Sequence, residues 1–171
     1  MADTTTMQIR PASDADLVAA LALDRQLFGD GAWPESKVME WWKAGAVSMI
    51  VAANKDALLG FADAFTINMQ AYLRLIHGTI TSDQLTIADA DPGGDHWWIG
   101  VVAVSPKYQQ QNIGQTLWLA IDDALGGKVC ADIWSAGGNS LVTGSPNWQL
   151  TLPGNRPIWT RTTSRAPRAT T

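Results

Sequence analysis

Cysteine is almost absent from this chain. Cys130 stands alone among 171 residues, which excludes an internal disulfide and fits a reducing compartment, so the cytoplasm is the expected location. Histidine is nearly as scarce. His77, His96 and one cysteine fall short of a usual zinc ligand set, and no metal is expected. No apolar run reaches the length of about 18 residues that a membrane span needs. The first residues lack a basic region followed by an apolar core, so no signal peptide is read there. Positive charge is not in excess. The net charge of −4 excludes a large nucleic-acid footprint. Acidic residues vanish altogether after Asp132, and the last third is instead rich in Gly, Ser, Thr, Pro, Asn and Arg. What is present in excess is tryptophan, with nine residues.

Hydrophobic periodicity lays out one domain. Met7–Arg10 alternates as a short strand. Ser13 then stands as an N-cap with Asp16 at the capping-box position, and Leu17, Ala20, Leu21, Leu27 and Phe28 recur at helical spacing toward a core. Gly29-Asp30-Gly31 ends that helix, and Trp33-Pro34-Glu35-Ser36 opens another, closed by Gly45. Val47–Asn54 and Leu58–Thr66 flank the turn Asn54-Lys55-Asp56 and read as a β-hairpin. Met69–Ile76 admits either a short helix or a strand continuation, Thr79–Ile87 reads as another strand, and Ala88–Asp95 reads as a loop. The three aspartates of that loop do not follow calcium-loop spacing and are read as solvated. Trp41-Trp42 and Trp97-Trp98 each place one ring inward, as core, and one outward, toward a cleft or a protein contact.

The informative stretch is His96–Leu125. An apolar strand, Trp97–Val104, runs into Ser105-Pro106, then a polar loop (Lys107–Asn112), then a helix from Ile113 to Leu125 that Gly126-Gly127 ends. A helix N-terminus after such a loop is an anion site built from backbone, because its first N–H groups lack intrahelical partners and its dipole is positive. Gly114 leaves room for a ligand near the main chain. Strict alternation along the strand puts His96, Trp98, Gly100, Val102 and Val104 on one face.

The run Val104-Ser105-Pro106-Lys107-Tyr108-Gln109-Gln110-Gln111-Asn112-Ile113-Gly114 resembles motif A of the GNAT family of N-acetyltransferases: Val-x-Pro, then a Gln-initiated loop ending in glycine before a helix. Asn112 stands where the family has its first glycine, and asparagine is the best substitute where φ must be positive. The loop carries glutamines where the family often has arginines, with Lys107 its nearest cation. Ile9-Arg10-Pro11-Ala12 and Phe28–Glu35 are similar to the family's opening, the latter to the ribosomal-protein alanine N-acetyltransferase subgroup.

The resemblance implies a GNAT-like α/β domain with a mixed, mostly antiparallel central sheet and flanking helices. It implies acetyl transfer from acetyl-CoA to a primary amine, on a protein N-terminus or a small molecule. In that frame Gln109, Gln110, Gln111, Asn112, Ile113, Gly114 and Gln115 would hold the cofactor phosphates. The backbone of Val102, Ala103 and Val104 would pair with the pantetheine arm. Trp98 occupies the place of one glutamate base used in the family, which leaves His96 as the nearest titratable group on that face. Asp132, in the strand Lys128–Trp134, falls near the place of another family base. Each has a plain alternative: His96 as a solvated histidine at a strand start, Asp132 as an ordinary strand aspartate.

Beyond Trp134 the resemblance fails. No helix of motif B is written between 135 and 146, and no tyrosine follows Tyr108 to protonate a leaving thiolate. Trp148–Leu152 and Arg156–Thr162 read as a hairpin. The expected domain is 1–163, with 68–94 an insertion, 137–163 an atypical ending and 164–171 a disordered tail. The missing motif B leaves a rival reading open: a non-catalytic acetyl-CoA-binding module that works through protein contacts. Oligomeric state is not legible.

Overall fold

The computed structural model describes residues 6–132, 141–142, 144–151 and 157–162. The tail expected at 164–171 and the positions 135–140 of the motif B question lie outside the described residues.

Seven strands form one sheet in the order β1-β2-β3-β4-β5-β7-β6, numbered along the chain as β1 (Gln8–Pro11), β2 (Val47–Ala53), β3 (Leu58–Thr66), β4 (His96–Val104), β5 (Lys128–Asp132), β6 (Trp148–Thr151) and β7 (Ile158–Arg161). All neighbours are antiparallel except β4 and β5, which run parallel. A parallel pair needs a crossover, and the helix α4 (Ile113–Ala124) supplies it. The fold is thus the mixed, mostly antiparallel sheet with flanking helices that the sequence implied.

Local chemistry explains the elements. In α1 (Asp14–Phe28) the Asp16 N–H donates to Ser13 Oγ, and Asp16 Oδ2 accepts from the Ser13 N–H at 2.8 Å, closing the capping box. The Arg10 guanidinium also pairs with Asp16 and pulls its carboxyl down to about 2. The β2–β3 turn is held by Asn54 Oδ1, which accepts from the N–H groups of Asp56 (2.9 Å) and Ala57 (2.8 Å). The sheet has a core on each face. One gathers Leu17 and Leu21 of α1, Val38 and Trp41 of α2 (Glu35–Lys43), and Phe61, Phe65 and Trp98. The other gathers Ile113, Leu117, Trp118 and Ile121 of α4 against Ala62, Ile99 and Val129. Arg161, fully buried, locks the end of α4: its guanidinium donates to the Asp122, Leu125 and Gly127 carbonyls and to Asp122 Oδ1, at 2.8–3.1 Å.

Of the two readings open for Met69–Ile76, the helix forms: it is α3, capped by Asn68, whose Oδ1 accepts from the Ala71 N–H. Two expectations need correction. Thr79–Ile87 is not a strand. Two short 3₁₀ turns, Ser82–Gln84 and Ile87–Asp89, form there because Thr81 with Gln84 and Thr86 with Asp89 each close a capping box. Phe28 is 45% exposed rather than core.

Candidate active site

Strand β4 has two unlike edges. Toward β3 it is paired along its length, from Thr66↔Trp97 to Gly60↔Val104. Toward β5 the ladder runs only from His96↔Lys128 to Ile99↔Ala131. Among the described residues no pairing joins the two strands past Ile99↔Ala131, and a cleft of about 750 Å³ lies against both. Val101, Val102 and Val104 line it from β4, and Ala131 and Asp132 from β5.

A bulge at Gly100 shapes this opening. The register slips between Asp63 and Ala64 of β3, so that Asp63 faces Val101 and Ala64 faces Ile99. Alternation therefore inverts within β4. Trp98 shares a core with Val101 and Ala103, whereas Ile99 joins Val102 and Val104 on the other face. The single face expected for His96, Trp98, Gly100, Val102 and Val104 does not exist, because one extra residue exchanges the faces beyond it. Asp63 holds the bulge: its Oδ1 accepts from the Val101 N–H at 2.8 Å. A Cβ at position 100 would lie 2.7 Å from Asp63 Oδ1 and 2.9 Å from Phe65 Cε2, so any larger residue there displaces those side chains.

The loop after β4 closes one end of the cleft. Pro106–Tyr108 makes a 3₁₀ turn, and the Gln109 side-chain amide donates to the Val104 carbonyl at 3.2 Å. Asn112 adopts φ 60° at the N-cap of α4, the left-handed conformation its place required. Gln110, at φ 67°, is a second left-handed residue that the sequence did not announce. Gln109 and Gly114 line the cleft, Gln110 and Gln111 are exposed, and Ile113 is core. Gly114 is not demanded by sterics, since a Cβ would meet only Val104 Cγ2, at 3.6 Å. No acidic residue sits in the first turn of α4, so nothing there opposes an anion.

Carboxylates and aromatic rings occupy the other end. Asp132 is 9% exposed; its Oδ1 accepts from Trp98 Nε1 and its Oδ2 from Ser82 Oγ, both at 2.7 Å. Trp33 packs at a tilt against Phe65 and Trp98, with ring centroids 4.7 and 5.0 Å away. Asp24 of α1 and Asp63 also line the cleft. Burial raises the Asp24 carboxyl to about 6, with Arg25 opposing the rise. Burial raises Asp63 well above the ordinary range, and the Asp24 charge adds to it.

The two sequence candidates for catalysis are not brought together here. Asp132 lines the cleft, whereas His96 does not. The imidazole lies edge-on to Tyr72, and its Nδ1 sits 2.9 Å from Asp95 Oδ1. Cys130, two residues before Asp132, is buried and its thiol is pushed up by burial, which makes it inert. Asp24 and Asp63 were missed. The signal was legible: Asp24 lies on the apolar face of α1, three residues beyond Leu21, and Asp63 is the one charge in the apolar strand LLGFADAFT. Among the described residues no group of three His, Cys, Asp or Glu side chains is arranged to hold a metal, and no helix is long and apolar enough to cross a membrane.

A parted strand pair beside a helix N-terminus defines an acetyltransferase-type α/β fold, and solved structures of that architecture share it over nearly the whole chain. The ribosomal-protein alanine N-acetyltransferase from Escherichia coli superposes with a TM-score of 0.61 at 15% identity, covering 97% of this chain and 99% of that one. The PaiA N-acetyltransferase from Thermoplasma acidophilum, solved with coenzyme A, gives 0.55 at 13% identity over 92% and 99%. A histone acetyltransferase and related acetyltransferase structure from Corynebacterium glutamicum gives 0.61 at 16% over 95% and 99%. A search of curated protein sequences returns no match. The model of the acetyltransferase (GNAT) family matches residues 17–136, and the chain belongs to that family.

The family's cosubstrate is acetyl-CoA, and the donor set fits it. The β4 edge beyond Ile99 has no strand partner among the described residues and offers backbone groups to an extended arm, next to a helix N-terminus free of acidic residues.

Proposed function

We propose that the protein transfers an acetyl group from acetyl-CoA to a primary amine, with Asp132 as the proton acceptor. The observation that carries this reading is one cleft lined by Gln109 and Gly114 at the α4 loop, by Val101, Val102 and Val104 of β4, and by Asp132 of β5.

Acetyl-CoA, when bound, supplies the activated acetyl thioester. The N–H groups of Gln111–Gln115 at the start of α4 hold its pyrophosphate, with the Gln109 amide bracing the loop on Val104. The β5-facing backbone edge of Val102, Ala103 and Val104, whose other edge pairs with β3, receives the pantetheine arm as an added strand, and an amide near Val104 stabilises negative charge on the carbonyl oxygen. Asp132, oriented by Trp98 and Ser82, takes the proton of the attacking amine directly or through one water. His96 stands outside the cleft lining and takes no part in the proton transfer.

The test is the Asp132→Asn variant assayed by thiol release with a panel of primary amines. The account expects kcat to fall by about 10²–10⁴-fold, with the KM for acetyl-CoA changed by less than about threefold. Unchanged kcat would remove Asp132 from the role. Acetyl-CoA binding without turnover on any amine would favour a binding module.

A further inference from the structure

We infer that Asp24 and Asp63 seat a second ammonium group, so that the acceptor is a linear aliphatic diamine rather than a monoamine. The inference rests on the acetyl-transfer reading above and names its acceptor.

Asp24 is 6% exposed, yet its Oδ1 is buried with no hydrogen-bond partner. An unpartnered carboxylate oxygen in a protein interior costs several kcal/mol of lost solvation, so its persistence beside a cleft asks for a partner that enters from the cleft. Asp63 lines the same cleft, close enough for the Asp24 charge to act on it, and its Oδ1 is engaged by Val101. Asp24 brings a carboxylate and Asp63 a neighbouring carboxyl group, and together they make a cation site. Arg25 acts on Asp24 through space but donates no hydrogen bond to its orphaned Oδ1.

The walls near the pair select among cations. Phe28, Trp33, Phe65 and Trp98 line this end, giving apolar cover for a methylene chain and ring faces for an ammonium. A hydroxyl-rich acceptor would leave its hydroxyls unpaired against these rings. Asp132 approaches from β5, whereas Asp24 and Asp63 approach from α1 and β3. One amino group thus meets the proton acceptor while the other rests on the pair.

The test is calorimetric titration of the full chain with 1,4-diaminobutane, 1,6-diaminohexane, butylamine and hexylamine. A lysine-terminated dipeptide and acetyl-CoA are titrated separately. At least one diamine should bind about tenfold or more tightly than the monoamine of equal length, the scale of one charge-assisted hydrogen bond. That ratio should fall to below about threefold in Asp24→Asn, whose fold is checked by its melting curve. Equal affinities in the parent protein, or a ratio that survives Asp24→Asn, would overturn the inference. So would preference for the dipeptide over every diamine. Either result beside saturable acetyl-CoA binding leaves acetyl transfer standing. Absent acetyl-CoA binding overturns that reading instead, and with it the assignment of the diamine as acceptor.

Discussion

Asp24→Asn should stabilise the protein, and more so as pH rises. The folded carboxyl titrates at about 6 against an ordinary 3.8, because burial disfavours its charged form. A carboxyl raised on folding leaves stability whole below 3.8, erodes it as pH climbs through about 6, and levels off above. From those two values the penalty is roughly 1–2 kcal/mol at pH 5 and roughly 3 kcal/mol at pH 8. Asparagine removes it. For a domain of this size each kcal/mol shifts Tm by roughly 2–4 °C. The variant should therefore melt about 2–8 °C above the parent at pH 5 and about 6–12 °C above it at pH 8. Any packing change from the amide is independent of pH, so the difference between the two pH values reports the Asp24 charge, including its effect on the neighbouring Asp63. Scanning fluorimetry without ligand measures it. An equal shift at both pH values, or a larger one at pH 5, would refute the argument that Asp24 is held charged at a cost. A cost of this kind is common where a site is kept ready for a ligand.

Other parts of the structure make equally specific demands. Arg161→Met should cost about 3–5 kcal/mol in urea unfolding, since it removes a fully buried guanidinium bound to three carbonyls and a carboxylate. Gly100→Ala should cost about 1–3 kcal/mol, by the same measurement, and weaken acetyl-CoA binding in a calorimeter, because its Cβ displaces the carboxylate that holds the bulge. Gln110→Gly should raise Tm modestly by relieving a left-handed glutamine worth about 1 kcal/mol.

Much of this was written locally in the sequence. The capping box of Ser13 and Asp16, the Asn54 turn, the β4–loop–α4 unit and the left-handed Asn112 all depend on neighbours a few residues away, and the structure shows each. Thr81-x-x-Gln84 and Thr86-x-x-Asp89 are equally local signals, but they compete with a β-branched composition that favours a strand. The bulge was harder, because alternation assumes a regular ladder. Only Gly100 inside an apolar strand marked the break, and only Asp63 across the sheet explains it. Asp24 needed tertiary knowledge as well: its place on the apolar face of α1 was visible, but the cleft that makes the position useful is formed by strands far along the chain.

The central claim is that the parted β4 edge and the α4 N-terminus form an acetyl-CoA site. Its most direct test is calorimetric titration of acetyl-CoA into the parent protein and into Gly114→Trp, a position that lines the cleft where a larger side chain fills it. The account predicts saturable binding at one site in the parent, and loss of that binding in a variant that still melts cooperatively. No binding to the parent, or undiminished binding to the folded variant, would contradict it.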